Sequence, residues 1–246
     1  MGRSSAATAA AAGAVVDGVA AGTSPSRGHE LHRFLLEHRL TRCLELGFAH
    51  GIGSVYIASA LEAMGEGSLT SVDLPSALAR RPTAKELLER AGLEHRVQLV
   101  IDPGGYVWWL RRKLREQLRE GRIKPAYDFV FIDGAHTWAI DALAFCLVDR
   151  LLAPDGWVLF DDLDWEPSDR RFSDVPDETR EVAHVNEIWE LLVKTDSSYD
   201  QLLSDGKWGY AHKCTTREPF VRTVVKRDLL GQARELARMA RVRVGV

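Results

Sequence analysis

Tyr127 to Trp138, read YDFVFIDGAHTW, constrains the fold of this chain more than any other stretch. Phe129-Val130-Phe131-Ile132 is a short run of β-branched and aromatic residues, the composition of a strand buried on both faces. Polarity then switches at once, to Asp133, Gly134, Ala135 and His136. In an open parallel sheet, ligands sit beyond the carboxyl ends of the strands. A carboxylate at such an end, with an imidazole three positions later, therefore marks a site. The arrangement recurs downstream, where Trp157-Val158-Leu159-Phe160 leads into Asp161-Asp162.

The rest of the chain supplies the sheet around that strand. Arg42 to Leu46 reads as a first strand and runs into Gly47-Phe48-Ala49-His50-Gly51-Ile52-Gly53-Ser54, with a helix expected from Val55 to Met64. Glycines let the backbone approach a ligand, and the following helix N-terminus offers free N–H groups. The spacing departs from the dinucleotide fingerprint: with Gly51 and Gly53 as its first two glycines, the third falls on Tyr56. No Gly-Lys-Ser/Thr follows, which excludes a P-loop. A second strand, Ser68 to Val72, closes on Asp73, where an acid can accept both hydroxyl protons of a ribose; the alternative is a turn aspartate before Pro75. A helix over 84–91, a strand over 97–101, a charged helix over 107–120 and a helix over 140–151 follow. Pro154-Asp155-Gly156 reads as a turn, 166–180 as a loop over the site, and 182–194 as a helix. Asp205-Gly206 signals a hairpin between 200–203 and 208–214. The expected fold is α/β: a doubly wound, mostly parallel seven-stranded sheet with a C-terminal antiparallel hairpin.

Composition bounds the function classes. The 246 residues are 46% hydrophobic and 27% charged, enough for a buried core. The net charge of -3 lacks the basic excess of a nucleic-acid footprint. No run reaches the roughly 20 apolar residues of a membrane span. Cys43, Cys146 and Cys214 are far apart and form no CxxC, which fits reduced thiols and a cytoplasmic protein. Residues 1–27, rich in Ala, Gly and Ser, are expected to be a flexible tail, 28–216 the folded domain, and 217–246 a basic amphipathic helix packed on the domain or on a second subunit of a homo-oligomer.

Asp133, Asp161 and Asp162 at two neighbouring strand ends repel one another unless a cation intervenes. Hard oxygen ligands favour Mg²⁺, Mn²⁺ or Ca²⁺ over zinc. An Asp-Asp pair can equally cap a helix or line a loop. His136 reads either as a structural histidine or as the base that takes a proton from a hydroxyl beside the cation. Trp138 and Trp165 are core aromatics or walls of an acceptor pocket.

Glu45-Leu46-Gly47 with Gly51, Asp73 closing the second strand, FIDGAH, and the strand ending in Asp161-Asp162 resemble class I S-adenosylmethionine-dependent methyltransferases over residues 29 to 214. Within them the chain is similar to metal-dependent O-methyltransferases of the catechol and macrolide-sugar types. The resemblance implies S-adenosyl-L-methionine seated by Glu45, Gly47, Phe48, Ala49, Gly51, Ser54, Asp73 and Asp133. It implies Mg²⁺ or Mn²⁺ on Asp133, Asp161 and Asp162, and His136 as catalytic base. The implied partner is a small hydroxylated acceptor, a natural product or sugar conjugate. A metal-independent methyltransferase and a non-catalytic cofactor-binding domain are the alternatives on the same fold.

Overall fold

A computed structural model describes residues 5–19, 22–168 and 175–214. The chain divides into two units, Met1–Thr216 and Arg217–Val246. The second unit, and with it the basic amphipathic helix expected there, lies outside the described residues.

Seven strands form one sheet: β1 (Arg42–Leu46), β2 (Ser68–Asp73), β3 (Val97–Ile101), β4 (Tyr127–Ile132), β5 (Leu152–Phe160), β6 (Tyr199–Ser204) and β7 (Gly209–Lys213). Their order is β3-β2-β1-β4-β5-β7-β6. Along this order all neighbours from β3 to β5 are parallel, while β7 runs antiparallel to both β5 and β6. The expected doubly wound sheet with its hairpin is therefore present. Order reverses between β1 and β4, the switch point at which a doubly wound sheet opens a crevice.

Strand side chains alternate between two buried layers. Leu44, Leu46, Val130, Ile132, Val158 and Phe160 enter one, under α5 (Gly105–Arg119), α6 (Trp138–Val148) and α7 (His184–Ile188). Cys43, Phe129, Phe131, Trp157 and Leu159 enter the other, under α2 (Pro25–His38) and α3 (Ile52–Met64). α4 (Ala84–Ala91) carries a complete capping box, in which the Thr83 and Glu86 side chains each accept the other's backbone N–H. α7 continues into a π-helical turn, Trp189–Val193, inside the expected helix.

Three expectations are corrected. Part of the expected flexible tail, Ser5–Val16, is a helix, α1, and Ala12 and Val16 are buried with Val55, Tyr56 and Leu87. Small alanines gain little alone but allow close approach to α3, and burial there offsets the ordering entropy. Pro154-Asp155-Gly156 is no terminating turn but lies within β5, with Asp155 at φ 62° where the β4–β5 register shifts. Between paired positions, β5 advances from Leu152 to Trp157 while β4 advances only from Tyr127 to Phe129, so the extra residues of β5 absorb the turn signal as a bulge. α2 begins at Pro25, ahead of the helix over 29–38 that Leu31, Phe34 and Leu35 predict by their spacing, because Ser24 caps it and proline suits the first helical turn.

Candidate active site

The chain leaves β1 through Gly47, whose φ of 88° and tight surroundings leave no room for a side chain: a Cβ there would collide with the Asp133 carbonyl oxygen. β1 and β4 thus exit side by side with their backbones in contact. Asp73, at the end of β2, holds the same turn from the other side. Its Oδ2 accepts the Phe48 and Ala49 N–H groups at 2.9 and 2.8 Å, and its Oδ1 accepts that of Leu74 at 2.6 Å.

Two cavities open around these strand ends. One, of about 500 Å³, is bounded by Gly47, Asp73, Leu74, Tyr106, Trp108 and Gly134. The other, of about 320 Å³, is bounded by Thr23, His50, Gly53, His136, Asp161 and Asp162. Ala49, Arg80, Asp133 and Gly134 line both. Asp133 therefore stands where the two meet.

The second cavity gathers the acids. His136 Nε2 lies 3.7 Å from Asp133 Oδ1 and 3.7 Å from Asp162 Oδ2, and its ring faces Trp165 at 5.5 Å. His136 and Asp162 both adopt left-handed backbone conformations, φ 52° and 55°. Asp161 Oδ1 accepts the Trp208 indole N–H at 2.5 Å and the Asp162 backbone N–H at 2.8 Å. Burial, then the neighbouring charges of Asp161, Glu45 and Asp162, hold the Asp133 carboxyl well above the usual carboxylate range. Burial and Asp161 likewise raise Asp162. The donor set of three carboxylates is the hard oxygen chemistry that suits Mg²⁺ or Mn²⁺. Among the described residues, no three His, Cys, Asp or Glu side chains converge into a ready cation cage.

The structure brings Gly47, Ala49, Asp73 and Asp133 to the first cavity and Phe48, Ala49, Asp133, His136, Asp161 and Asp162 to the second. Glu45 and Ser54 line neither. Glu45 falls on the α3 side of the sheet, between Leu44 and Leu46, and is 1% exposed. Its carboxyl accepts hydrogen bonds from Ser54 Oγ and, at 2.6 Å, from Ser71 Oγ. Burial raises its pKa to about 7, against the hydrogen bonds of both serines. Gly51 (φ 87°) ends the turn as the residue before α3, packed against Ala84 rather than on either cavity.

Several site residues carry no signal in sequence. Arg80, in the segment between β2 and α4, is the single Lys or Arg among the described residues bounding the two cavities. Tyr106 underlies Gly134 and donates to Asp141, while its oxygen accepts the Ala135 N–H at 2.9 Å. The Asp141 backbone N–H donates to the Thr137 carbonyl at 2.9 Å, so Asp141 ties Tyr106 to the end of the loop that presents the imidazole. His184 is structural: its Nδ1 accepts the Trp138 N–H at 3.1 Å and its Nε2–H donates to the Thr179 carbonyl at 3.0 Å. The Gly104-Gly105-Tyr106 pattern is the available clue to Tyr106; Arg80 has none.

Sheet order and switch-point cleft give the chain a doubly wound, Rossmann-like α/β fold, the fold it shares with the solved O-methyltransferases described next. The family model of a methyltransferase domain matches residues 44–163, from β1 to just past β5. A caffeoyl-CoA O-methyltransferase of Stellaria longipes is 28% identical over 116 residues, which span 47% of this chain and 44% of that relative's length. In fold, the chain is similar to an O-methyltransferase of Bacillus cereus solved with S-adenosylhomocysteine (TM-score 0.59, 17% identity, 84% of this chain and 90% of that one). It is similar as well to TomG of Streptomyces achromogenes, an O-methyltransferase involved in tomaymycin synthesis and solved with S-adenosylmethionine (TM-score 0.58, 21% identity, 87% and 91%). No helix among the described residues is long and apolar enough to cross a membrane.

Proposed function

We propose that this protein transfers a methyl group from S-adenosylmethionine to a hydroxyl of a small acceptor, with a divalent cation at the acceptor side and His136 as base. The observation that carries the reading is the two-part cleft at the switch point, with Asp133 common to both parts. The larger cavity, walled by Trp108, Leu74 and Ile140, offers apolar faces to an adenine. Asp73 Oδ1 carries one backbone hydrogen bond and retains acceptor capacity for a ribose hydroxyl. The amino-acid end of the cofactor would lie toward Arg80 and the start of α3, where backbone N–H groups are free of intrahelical partners. The cofactor supplies an electrophilic methyl on a positively charged sulfur.

Asp133, Asp161 and Asp162 would hold Mg²⁺ or Mn²⁺, whose charge makes a bound acceptor hydroxyl more acidic. His136 takes the hydroxyl proton at Nε2, the ring nitrogen that faces both Asp133 and Asp162. The oxyanion so formed would take the methyl in line as its bond to sulfur breaks and S-adenosylhomocysteine leaves, with positioning contributing most of the rate. Trp165, against His136, restricts water at the proton-transfer end. The acceptor class, a hydroxylated natural product or sugar conjugate, is supported by the resemblance and by the 320 Å³ size of the cavity.

Calorimetric titration with S-adenosylhomocysteine tests the first half: micromolar binding is expected, and no binding in any buffer sinks the reading. Turnover of a catechol or sugar-hydroxyl panel with and without chelator tests the second half. Turnover that persists unchanged under chelation removes the cation and leaves His136 acting alone.

A further inference from the structure

Trp208 occupies an unusual place for a large apolar residue, at the foot of the β6–β7 hairpin and 2% exposed. Its indole N–H donates to Asp161 Oδ1 at 2.5 Å, and the Asp162 backbone N–H donates to the same oxygen at 2.8 Å. Both restraints fall on one oxygen, so the carboxylate is held in one rotation. The ring itself is clamped. Arg27 of α2 lies over it at 5.0 Å, and the same guanidinium pairs with Asp205 of the hairpin turn and, at 3.0 Å, with Glu30. Asp205 in turn accepts the Trp208 and Lys207 N–H groups at 2.9 and 3.0 Å. Phe131 packs against the indole edge at 5.7 Å. The Lys207 carbonyl accepts the Leu163 N–H at 2.8 Å, tying the hairpin to the segment that carries Asp161 and Asp162.

We infer that Trp208 is a positioning residue for Asp161, and that Arg27 and Asp205 hold Trp208 in place, so that α2 and the terminal hairpin set the geometry of the acidic end of the cleft. The inference rests on the cation reading of that end given above. An indole is a donor only, so its N–H orients the Asp161 carboxyl and cannot compete with it for a cation. Partners that orient a metal-ligating carboxylate change metal affinity about 10- to 100-fold when removed. The chain places this partner 47 residues downstream of its acid, beyond a further helix and strand.

The test is Mn²⁺ binding followed by electron paramagnetic resonance, on the full chain, for wild type, Trp208→Phe and Arg27→Met. Trp208→Phe keeps an aromatic ring and removes the N–H. The expected result is Mn²⁺ affinity at least about tenfold weaker in Trp208→Phe, with S-adenosylhomocysteine affinity within about twofold of wild type. Arg27→Met is expected to weaken Mn²⁺ by a smaller factor in the same direction. It serves if Trp208→Phe does not fold. Unchanged Mn²⁺ affinity in the folded variants overturns the positioning role while leaving the cation reading intact. Failure of the wild type to bind Mn²⁺ overturns both.

Discussion

Glu45 and His136 show how differently two polar residues near strand ends behave. Glu45 has its pKa raised from 4.5 to about 7 because burial penalises its charge. Between those values the folded protein binds a proton that the unfolded chain has released. Stability from this group is therefore highest below pH about 4.5 and falls as pH rises toward 7, by about 3 kcal/mol in all. Glu45→Gln keeps an acceptor for Ser54 and Ser71 and is expected to flatten that slope in thermal melts between about pH 5 and 8. His136 faces the cleft, and His136→Ala is expected to lower turnover by about 10²- to 10⁴-fold with little change in S-adenosylhomocysteine affinity. Equal loss of both would make the histidine structural. Arg80→Ala is expected to weaken S-adenosylhomocysteine but not 5′-methylthioadenosine, which lacks the carboxylate; calorimetry with both ligands separates the two.

At the scale of elements, the strand ends are legible in the sequence and the helix contacts are not. Asp73, Asp133, Asp161 and Asp162 stand out because an acid that closes an apolar run falls at the ligand crevice of a parallel sheet. Glu45 and Ser54 belong to the cofactor set that the motif implies, yet strand alternation turns Glu45 toward α3, and Ser54 follows it. Gly28 is invisible as a constraint until the helices are packed. A Cβ there would collide with the Tyr56 ring, and its absence lets α2 cross close over α3. Gly28→Ala is expected to destabilise the fold by about 1–3 kcal/mol through overpacking, measured by denaturant unfolding. A melt unchanged from wild type would show that α2 shifts freely and does not clamp Trp208.

Across the whole molecule, the cleft exists only because β1 and β4, far apart in sequence, are adjacent in the sheet. A ligand binding there binds the folded chain alone, so S-adenosylhomocysteine at about 100 times its dissociation constant is expected to add about 2.7 kcal/mol of stability. A thermal shift that tracks ligand concentration checks this. The link between α1 and α2, which carries no site motif, borders the acidic cavity through Gly22 and Thr23.

The raw material of the sheet is legible along the chain: apolar runs of strand length, each closed by a polar switch, and glycines where a backbone must pass close to another. Those are local properties, set by side-chain volume and by the conformations that a residue with or without a Cβ can adopt. Packing settles the rest: which layer Glu45 enters, that an alanine-rich segment orders against α3, that Arg80 reaches the cleft and that Trp208 reaches Asp161. Each of these depends on contacts between residues distant along the chain, whose gain comes only once the sheet has brought them together.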